Sequence, residues 1–160
     1  MKELFEAHYA FVAKLVTSIT GDPGRAEELA VEAFLRWERA GGGHPEPRAW
    51  LCRAAIRLAL DEVRRRERAG RRLYWLRDLV RPAPTPAELY ESLDRRQRVT
   101  AVLARIKARD AEMLLLRAEG LSYDELAGEL GLNPLSVGQM LARAQESFRK
   151  EYVKRYGTDQ

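Results

Sequence analysis

Arginine is dense in one stretch of this chain, and guanidinium groups bind phosphates. Between Arg64 and Arg81 the sequence holds eight arginines against two acidic residues, a net charge of +6, whereas the whole chain carries +4. A guanidinium group can hold a phosphate through two parallel hydrogen bonds, and such contacts weaken as the salt concentration rises. The pattern predicts a polyanionic ligand, and the alternative is a solvated basic helix end.

Residue types that carry out catalysis are sparse. The sequence has two histidines, His8 and His44, and neither has a partner at the spacing of a metal site. Glu27, Glu28 and Glu32 share one predicted helix surface, but no Glu-x-x-His motif accompanies them. We therefore expect no enzymatic activity, no metal and no cofactor.

Length, composition and cysteine content indicate a globular cytoplasmic protein. The 160 residues are 46% hydrophobic, which is enough for a packed core. The single cysteine, Cys52, permits no internal disulfide and is expected to be a small buried thiol in a helix. The longest apolar runs fall short of the roughly 20 residues that span a bilayer, and the residues after Met1 lack a signal-peptide pattern. We expect no membrane span.

Nearly every segment has the period and composition of an α-helix, and the sequence lacks a convincing alternating strand pattern. The predicted fold is therefore all-α, with two small helical domains joined by a proline-rich linker. The first domain is assigned to residues 1–81, the linker to 82–88 and the second domain to 89–160. Three prolines within five residues define the linker, because proline interrupts a helix and favours extended chain. The apolar segment Leu73–Val80 is expected to dock on the first domain.

A helix-turn-helix is predicted in the second domain. Ser122 can cap its first helix, and Glu125 can return the hydrogen bond in a capping box. Gly131 can close that helix in the left-handed conformation, and Asn133 can cap the next helix, with Pro134 at its first position. This spacing is typical of motifs that place their second helix in the major groove of DNA.

The second helix of this motif is predicted to run from Pro134 to about Tyr152. Its apolar residues are expected to pack inward: Leu135, Val137, Leu141, Ala144 and Phe148. The opposite face is available to a DNA groove: Ser136, Gln139, Met140 and Arg143.

Three segments occur in an order and spacing that are specific when taken together. The first runs from Asp22 to Trp37 and contains AEEL and EAFLRW; the second runs from Pro47 to Arg66 and contains PRAWL and RRR; the third runs from Leu114 to Ala144 and contains EGLSYDELA. Over almost the whole chain these segments resemble bacterial sigma factors of the extracytoplasmic-function (ECF) type. The resemblance implies two DNA-binding domains that act with RNA polymerase.

The resemblance assigns a partner to each segment. It implies that the first segment docks on a coiled coil of core RNA polymerase, using the charged residues Glu27, Glu28, Glu32 and Arg36. It implies that the loop 41–47 captures a flipped base of promoter DNA, on which His44 can stack, and that the following helix tracks the opened strand. The DNA-binding residues expected in this half are His44, Arg48, Arg53, Arg57, Arg64, Arg65, Arg66 and Arg68. Relatives are often held by an anti-sigma factor, which is a further candidate partner.

The sequence departs from the family pattern at several of these positions. Val31 stands where the family usually has glutamine, and Arg57 stands where it commonly has asparagine. In the recognition helix, Gly138 and Met140 replace basic residues and Ala142 replaces a histidine. Residues 82–160 hold twelve basic and twelve acidic side chains, so this half lacks the charge of a strong independent DNA binder.

Two functions are compatible with these features. The main hypothesis is a sigma factor that binds core RNA polymerase and directs transcription from specific promoters. The alternative is a sigma-derived regulator or partner-binding protein that has lost promoter recognition, which the weakly basic recognition helix favours. A stand-alone repressor would require dimerisation, and the sequence shows no obvious helix for it.

Overall fold

The part of the chain that the structure describes consists of seven helices. This computed structural model describes residues 1–72 and 87–158, with side-chain surroundings for 1–70 and 95–158. The linker prolines at 82–86, the apolar segment Leu73–Val80 and the arginines Arg77 and Arg81 lie outside the described residues. The helices are α1 (Lys2–Thr20), α2 (Pro23–Arg39), α3 (Pro47–Arg72), α4 (Ala87–Arg105), α5 (Ala108–Ala118), α6 (Tyr123–Leu130) and α7 (Pro134–Tyr156). The all-α prediction is confirmed.

The first three helices pack on one another around an apolar core. Helix α1 ends where Gly21 adopts the left-handed conformation, with φ of 70°. Asp22 then caps α2, since its carboxylate accepts a hydrogen bond from the Arg25 backbone N–H at 3.1 Å, and Pro23 begins the helix. Each helix buries one apolar stripe, which includes Val12, Leu15, Val16, Ile19, Ala26, Leu29, Phe34, Leu51 and Ile56.

The last four helices form a second group that contains the predicted helix-turn-helix. Ser122 Oγ accepts a hydrogen bond from the Glu125 N–H at 3.1 Å, and the Glu125 carboxylate accepts one from the Ser122 N–H at 3.0 Å, so the capping box is present. Gly131 is left-handed with φ of 66°, and the Asn133 side chain accepts a hydrogen bond from the Leu135 N–H at 3.0 Å. The predicted caps are confirmed. The core of this group includes Met113, Leu116, Leu126, Val137 and Leu141.

Helix α3 joins the two groups. It packs against α1 and α2 and also against α4, α5 and α6. At the junction, Thr100 Oγ1 donates a hydrogen bond to the carbonyl of Ile19 at 3.3 Å. Buried residues of both groups belong to one contiguous apolar cluster. The two predicted domains therefore lie against each other in this structure.

The structure corrects the predicted inward face of the recognition helix α7. Leu135 was expected to be buried, but it is 93% exposed. Leu135 precedes the buried Val137 by two residues, which is about 200° around the helix, so its side chain lies on the opposite face of α7. The prediction for Leu135 is therefore wrong. Met140, expected to face a groove, is half-buried and packs against the core.

The thiol of Cys52 is fully buried in α3. Desolvation raises the pKa of this thiol to about 12. Because only the thiolate reacts with alkylating reagents, we expect the folded protein to resist iodoacetamide at pH 8. Mass spectrometry should find one modified cysteine after denaturation in guanidinium chloride and no modification of the native protein within an hour. Rapid modification of the native protein would contradict the buried position.

Candidate functional site

The exposed face of α2 carries mixed charges held in fixed positions. Glu32 Oε1 lies 3.1 Å from Arg39 Nη1 and 3.4 Å from Arg36 Nε. Although desolvation opposes it, hydrogen bonds from Arg39 and Arg36 lower the pKa of Glu32. Glu28 is exposed and forms an ion pair with Arg25 one turn earlier. The Glu32 carboxylate is thus stabilised in its ionised form, and both carboxylates are accessible to solvent.

Two apolar side chains lie within this charged face, and the sequence prediction did not include them. Val31 is 42% exposed and Leu35 is 39% exposed. They are four residues apart and therefore neighbours on the helix surface, next to Glu28 and Glu32. The signal was present in the sequence, because both positions lie outside the stripe that contains Phe34. An apolar pair surrounded by charges is the usual composition of a protein-binding surface.

The loop between α2 and α3 is fixed at its start by glycine conformation. Gly42 has φ of 63° and donates its N–H to the carbonyl of Trp37 at 3.2 Å. A β-carbon at Gly42 would lie 3.1 Å from Trp37 Nε1, so a larger residue would strain the turn in two ways. Trp37 in turn packs edge-to-face on Trp50, with ring centroids 5.2 Å apart. Trp50 is half-buried.

His44 does not extend freely from this loop. Its Nδ1 accepts a hydrogen bond from the Glu46 backbone N–H at 3.0 Å. Its Nε2 lies 3.2 Å from the Glu129 carboxylate of α6. The predicted base-stacking residue is therefore in contact with the helix-turn-helix in this structure.

The predicted DNA-binding arginines of α3 divide into two sets. One set faces the second group of helices. Arg53 Nε lies 3.1 Å from Glu129 Oε2, Arg57 Nε lies 2.9 Å from Glu112 Oε1, and Arg64 Nη2 donates to the carbonyl of Ile106 at 3.0 Å. These guanidinium groups have protein partners on α5, on α6 and after α4.

The other set points to solvent or along the first domain. Arg65 is 61% exposed and pairs with Glu62 at 2.7 Å, and Arg68 is exposed beside an open cleft between α3, α4 and α7. Arg48 is exposed with its guanidinium 4.5 Å from the centre of the Phe11 ring. Arg66, also exposed, donates to the carbonyl of Thr20 at 2.7 Å. The sequence placed all of these on one helix, but the structure does not bring them to one surface.

The exposed residues of the recognition helix form a stripe with little charge. Gln139 and Arg143 are exposed, and they are aligned with Leu135 at helical spacing, while Ser136 is half-buried. Gly138 lies under the ring of Tyr123, since a β-carbon there would be 3.3 Å from that ring. The glycine thus makes room for the tyrosine.

The described residues lack the features of two other functional classes, metal-binding and membrane-spanning proteins. In the part of the chain described here, no three histidine, cysteine or acidic side chains are grouped so as to hold a metal ion. None of the described helices is long and apolar enough to cross a membrane.

Family models match both halves of the chain. The Sigma-70 region 2 model matches residues 4–69, which cover α1, α2 and most of α3. The Sigma-70, region 4 model matches residues 96–146, which include the helix-turn-helix. Both matches fall where the sequence resemblance predicted them.

Similar proteins support the same assignment over most of the chain. The ECF RNA polymerase sigma factor SigK of a Mycobacterium strain is 31% identical over 84% of this chain and 73% of its own length. The ferric citrate uptake sigma factor FecI of Escherichia coli is 29% identical over 94% of this chain and 91% of its own. The probable RNA polymerase sigma factor RfaY of Xanthomonas campestris is 30% identical over 92% of this chain, which spans only 39% of that protein.

A solved structure has the same fold. It is the sigma factor RpoE of Bartonella quintana in complex with the anti-sigma factor NepR, with a TM-score of 0.53, 22% sequence identity and 94% coverage of both chains. The region 2 and region 4 matches, the identity to SigK and this shared fold all agree on one family. This chain belongs to the ECF family of RNA polymerase sigma factors.

Proposed function

We propose that this sigma factor binds core RNA polymerase through the exposed face of α2 and directs initiation at specific promoters through α3 and α7. The observation that carries this proposal is the division of charge between adjacent helices. Helix α2 presents ordered carboxylates around an apolar pair, whereas α3 presents arginines. A protein partner and a nucleic-acid partner can therefore be held side by side by one small domain.

The α2 face suits a protein partner. Val31 and Leu35 supply apolar area for contact, and Glu28, Glu32 and Arg36 supply charges that fix the register against a mixed-charge partner. Valine at position 31 replaces a polar contact of the family with an apolar one. The docking contact at that point is therefore van der Waals packing.

The exposed arginines of α3 suit the phosphates of an opened promoter strand. Arg65 and Arg68 are both exposed, and they lie about one helical turn apart on α3. Contacts to phosphate position a protein on DNA without reading its sequence. We assign to these two arginines the contacts to the phosphates of the opened strand. The loop that contains His44 and the exposed residues Leu135, Gln139 and Arg143 of α7 supply the base contacts.

Recognition by α7 would depend on few side chains. Gln139 can pair with adenine and Arg143 with guanine in the major groove, and the exposed Leu135 can contact a thymine methyl group. The low charge of this half means that its DNA affinity on its own is weak. The DNA-binding half of region 2 and the polymerase must therefore supply most of the affinity.

Three further assignments follow from this function. A factor that acts on DNA-bound polymerase works in the cytoplasm and has no catalytic group of its own. An anti-sigma factor is a candidate partner, since the structural neighbour was solved with one. A regulator that lacks promoter recognition remains the second candidate, because Gly138 and Met140 leave α7 short of basic side chains.

Removal of the two exposed arginines tests the DNA role. We expect Arg65→Ala with Arg68→Ala to weaken promoter complexes roughly three- to tenfold and to reduce the salt slope by about 0.7 per lost phosphate contact. Glu62 keeps Arg25 at 3.4 Å, so its carboxylate is not left unpaired. Filter binding of promoter complexes between low and moderate salt measures both quantities.

The matched control removes two positive charges from another helix. Lys2→Ala with Lys14→Ala changes exposed side chains of α1 by the same net charge. The proposal predicts a smaller effect for this pair and unchanged core binding for both variants. Equal losses in the two variants would show that only the net charge matters. Arg64 is unsuitable for this test, because it also holds the carbonyl of Ile106.

A further inference from the structure

An open cleft of about 440 Å³ lies between α3, α4 and α7, and its walls are almost entirely charged. Helix α3 contributes Arg64, Glu67 and Arg68, helix α4 contributes Arg105, and helix α7 contributes Glu151 and Lys154. Four cations therefore face two carboxylates, which leaves this basic cleft with a net charge of +2. A space of this size can hold a small ligand. Among these residues, only Arg68 has a part in the proposed function.

One of the two carboxylates in the basic cleft is already neutralised. Glu67 Oε1 lies 3.3 Å from Arg105 Nη2 and 2.9 Å from Arg155 Nη1. Although desolvation opposes it, hydrogen bonds from Arg155 and Arg105 lower the pKa of Glu67. Two guanidinium groups thus share this ionised carboxylate, and it is not available to balance the other cations of the cleft.

Three cations of the basic cleft have no carboxylate partner within the described residues: Arg64, Arg68 and Lys154. Arg64 Nη2 donates to the carbonyl of Ile106 at 3.0 Å, while its Nε is buried without a hydrogen-bond partner. A half-buried charge without a counter-charge is unfavourable, because the protein solvates it less well than water does. An anion in the cleft would remove this cost.

The composition of the walls indicates which anion fits. Guanidinium groups bind phosphate oxygens in pairs, and an ammonium group binds them as a point charge. A cleft with an excess of one charge also concentrates ions of the opposite charge. Apart from one alanine, the described residues that line the cleft are charged, so they offer no aromatic ring on which a nucleobase could stack. The cleft therefore suits phosphate groups rather than a base.

We propose that the basic cleft is a binding site for a diphosphate group, held between Arg64 and Arg68 of α3 and Lys154 of α7. The group is either inorganic pyrophosphate or the diphosphate of a nucleotide, whose remaining atoms extend into solvent. Glu151 opposes an anion in the cleft and limits its affinity. The inference goes beyond the proposed function and does not depend on it, because the site is complete in the free protein.

Isothermal titration calorimetry of the full chain with sodium pyrophosphate at low salt tests the site. A single binding site per chain is expected. Lys154→Ala should weaken binding by about five- to tenfold, the effect of one partly exposed charge-assisted hydrogen bond. The matched control is Lys150→Ala, which removes the same charge from an exposed position of α7 that does not line the cleft. It should change the Kd by no more than about twofold, because salt screens a charge outside the site.

A variant with the opposite effect guards against misfolding. Glu151→Gln keeps the shape of the side chain and removes the carboxylate that repels the ligand. It should tighten pyrophosphate binding by about two- to fivefold. A damaged protein would not bind more tightly, so this gain cannot come from loss of structure. Weaker or unchanged binding in Glu151→Gln would contradict the placement of the diphosphate beside α7.

Further titrations identify the source of the diphosphate and exclude other anions. Adenosine diphosphate that binds as tightly as pyrophosphate supports a nucleotide, and binding of pyrophosphate alone supports the inorganic ion. Sulfate that binds as tightly as pyrophosphate overturns the proposal, since the cleft would then attract any anion. Absence of pyrophosphate binding, or equal Kd values for Lys154→Ala and Lys150→Ala, overturns it as well. If pyrophosphate does not bind and Lys154→Ala weakens promoter complexes as much as Arg65→Ala with Arg68→Ala, the cleft belongs to the DNA surface instead.

Discussion

Reversal of the charges at Glu28 and Glu32 is expected to weaken binding to core RNA polymerase by roughly 10- to 100-fold, because like charges across an interface cost several kcal/mol. In Glu28→Lys with Glu32→Lys, the exposed acidic face of α2 becomes basic. Arg25 keeps its contact with Glu62, so the fold loses only surface ion pairs. Titration of fluorescently labelled sigma factor with core polymerase measures the change in Kd.

A charge-matched variant separates this site from a general effect. Glu3→Lys with Glu6→Lys makes the same change of charge at exposed positions of α1. It should leave the Kd within about threefold of the unsubstituted protein, as expected for charges distant from an interface. The same loss of affinity in both variants, or full affinity after reversal on α2, would contradict the docking assignment.

Truncation of Phe34 to alanine is expected to lower the free energy of unfolding by about 3–5 kcal/mol, the usual cost of a large cavity in a core. Phe34 is 2% exposed. Its ring lies edge-on to Phe5, with centroids 5.0 Å apart, and 6.4 Å from Tyr9, so the substitution removes packing between α1 and α2. Urea denaturation followed by circular dichroism gives the free energy.

Truncation of the neighbouring residue Leu35 is expected to affect core binding rather than stability. Leu35 is 39% exposed on the polymerase face, so Leu35→Ala should change stability by no more than about 0.5 kcal/mol. It should nevertheless weaken core binding, because it removes half of the apolar pair. A stability loss at Leu35 comparable to that at Phe34 would show that the two faces of α2 have been assigned wrongly.

Local rules were sufficient to predict where both helices of the helix-turn-helix begin and where the first one ends. The capping box of Ser122 and Glu125 and the left-handed Gly131 depend only on residues a few positions apart. Asp22 with Pro23 marks the start of α2 in the same way. Such signals are readable in sequence because each hydrogen bond closes within one helical turn.

Contacts between distant parts of the chain, and the burial of individual residues, could not be predicted without the tertiary structure. The contact of Arg57 with Glu112 joins residues 55 positions apart, and nothing in the sequence pairs them. Leu135 was predicted to pack inward, but its position two residues before the buried Val137 puts it on the exposed face with Gln139 and Arg143. Gly138 was noted in the sequence only as the replacement of a basic residue, whereas in the structure it makes room for Tyr123 of another helix.

The roles of the candidate site residues stay predictions for a related reason. Sequence can place Arg53 and Arg68 on one helix with suitable chemistry. It cannot distinguish a guanidinium group that faces solvent from one that has a carboxylate partner on another helix. Arg65 and Arg68 are exposed, whereas Arg53 and Arg57 pair with Glu129 and Glu112 of the second group of helices.

Transcription with purified components tests the central assignment most directly. Core RNA polymerase from the source organism is incubated with fragmented genomic DNA, with and without this protein, and the 5′ ends of the transcripts are sequenced. A promoter-directing sigma factor predicts new start sites that appear only with the protein and share sequence motifs near positions −10 and −35. Binding to core polymerase without new start sites would contradict that function and favour a regulator that has lost promoter recognition.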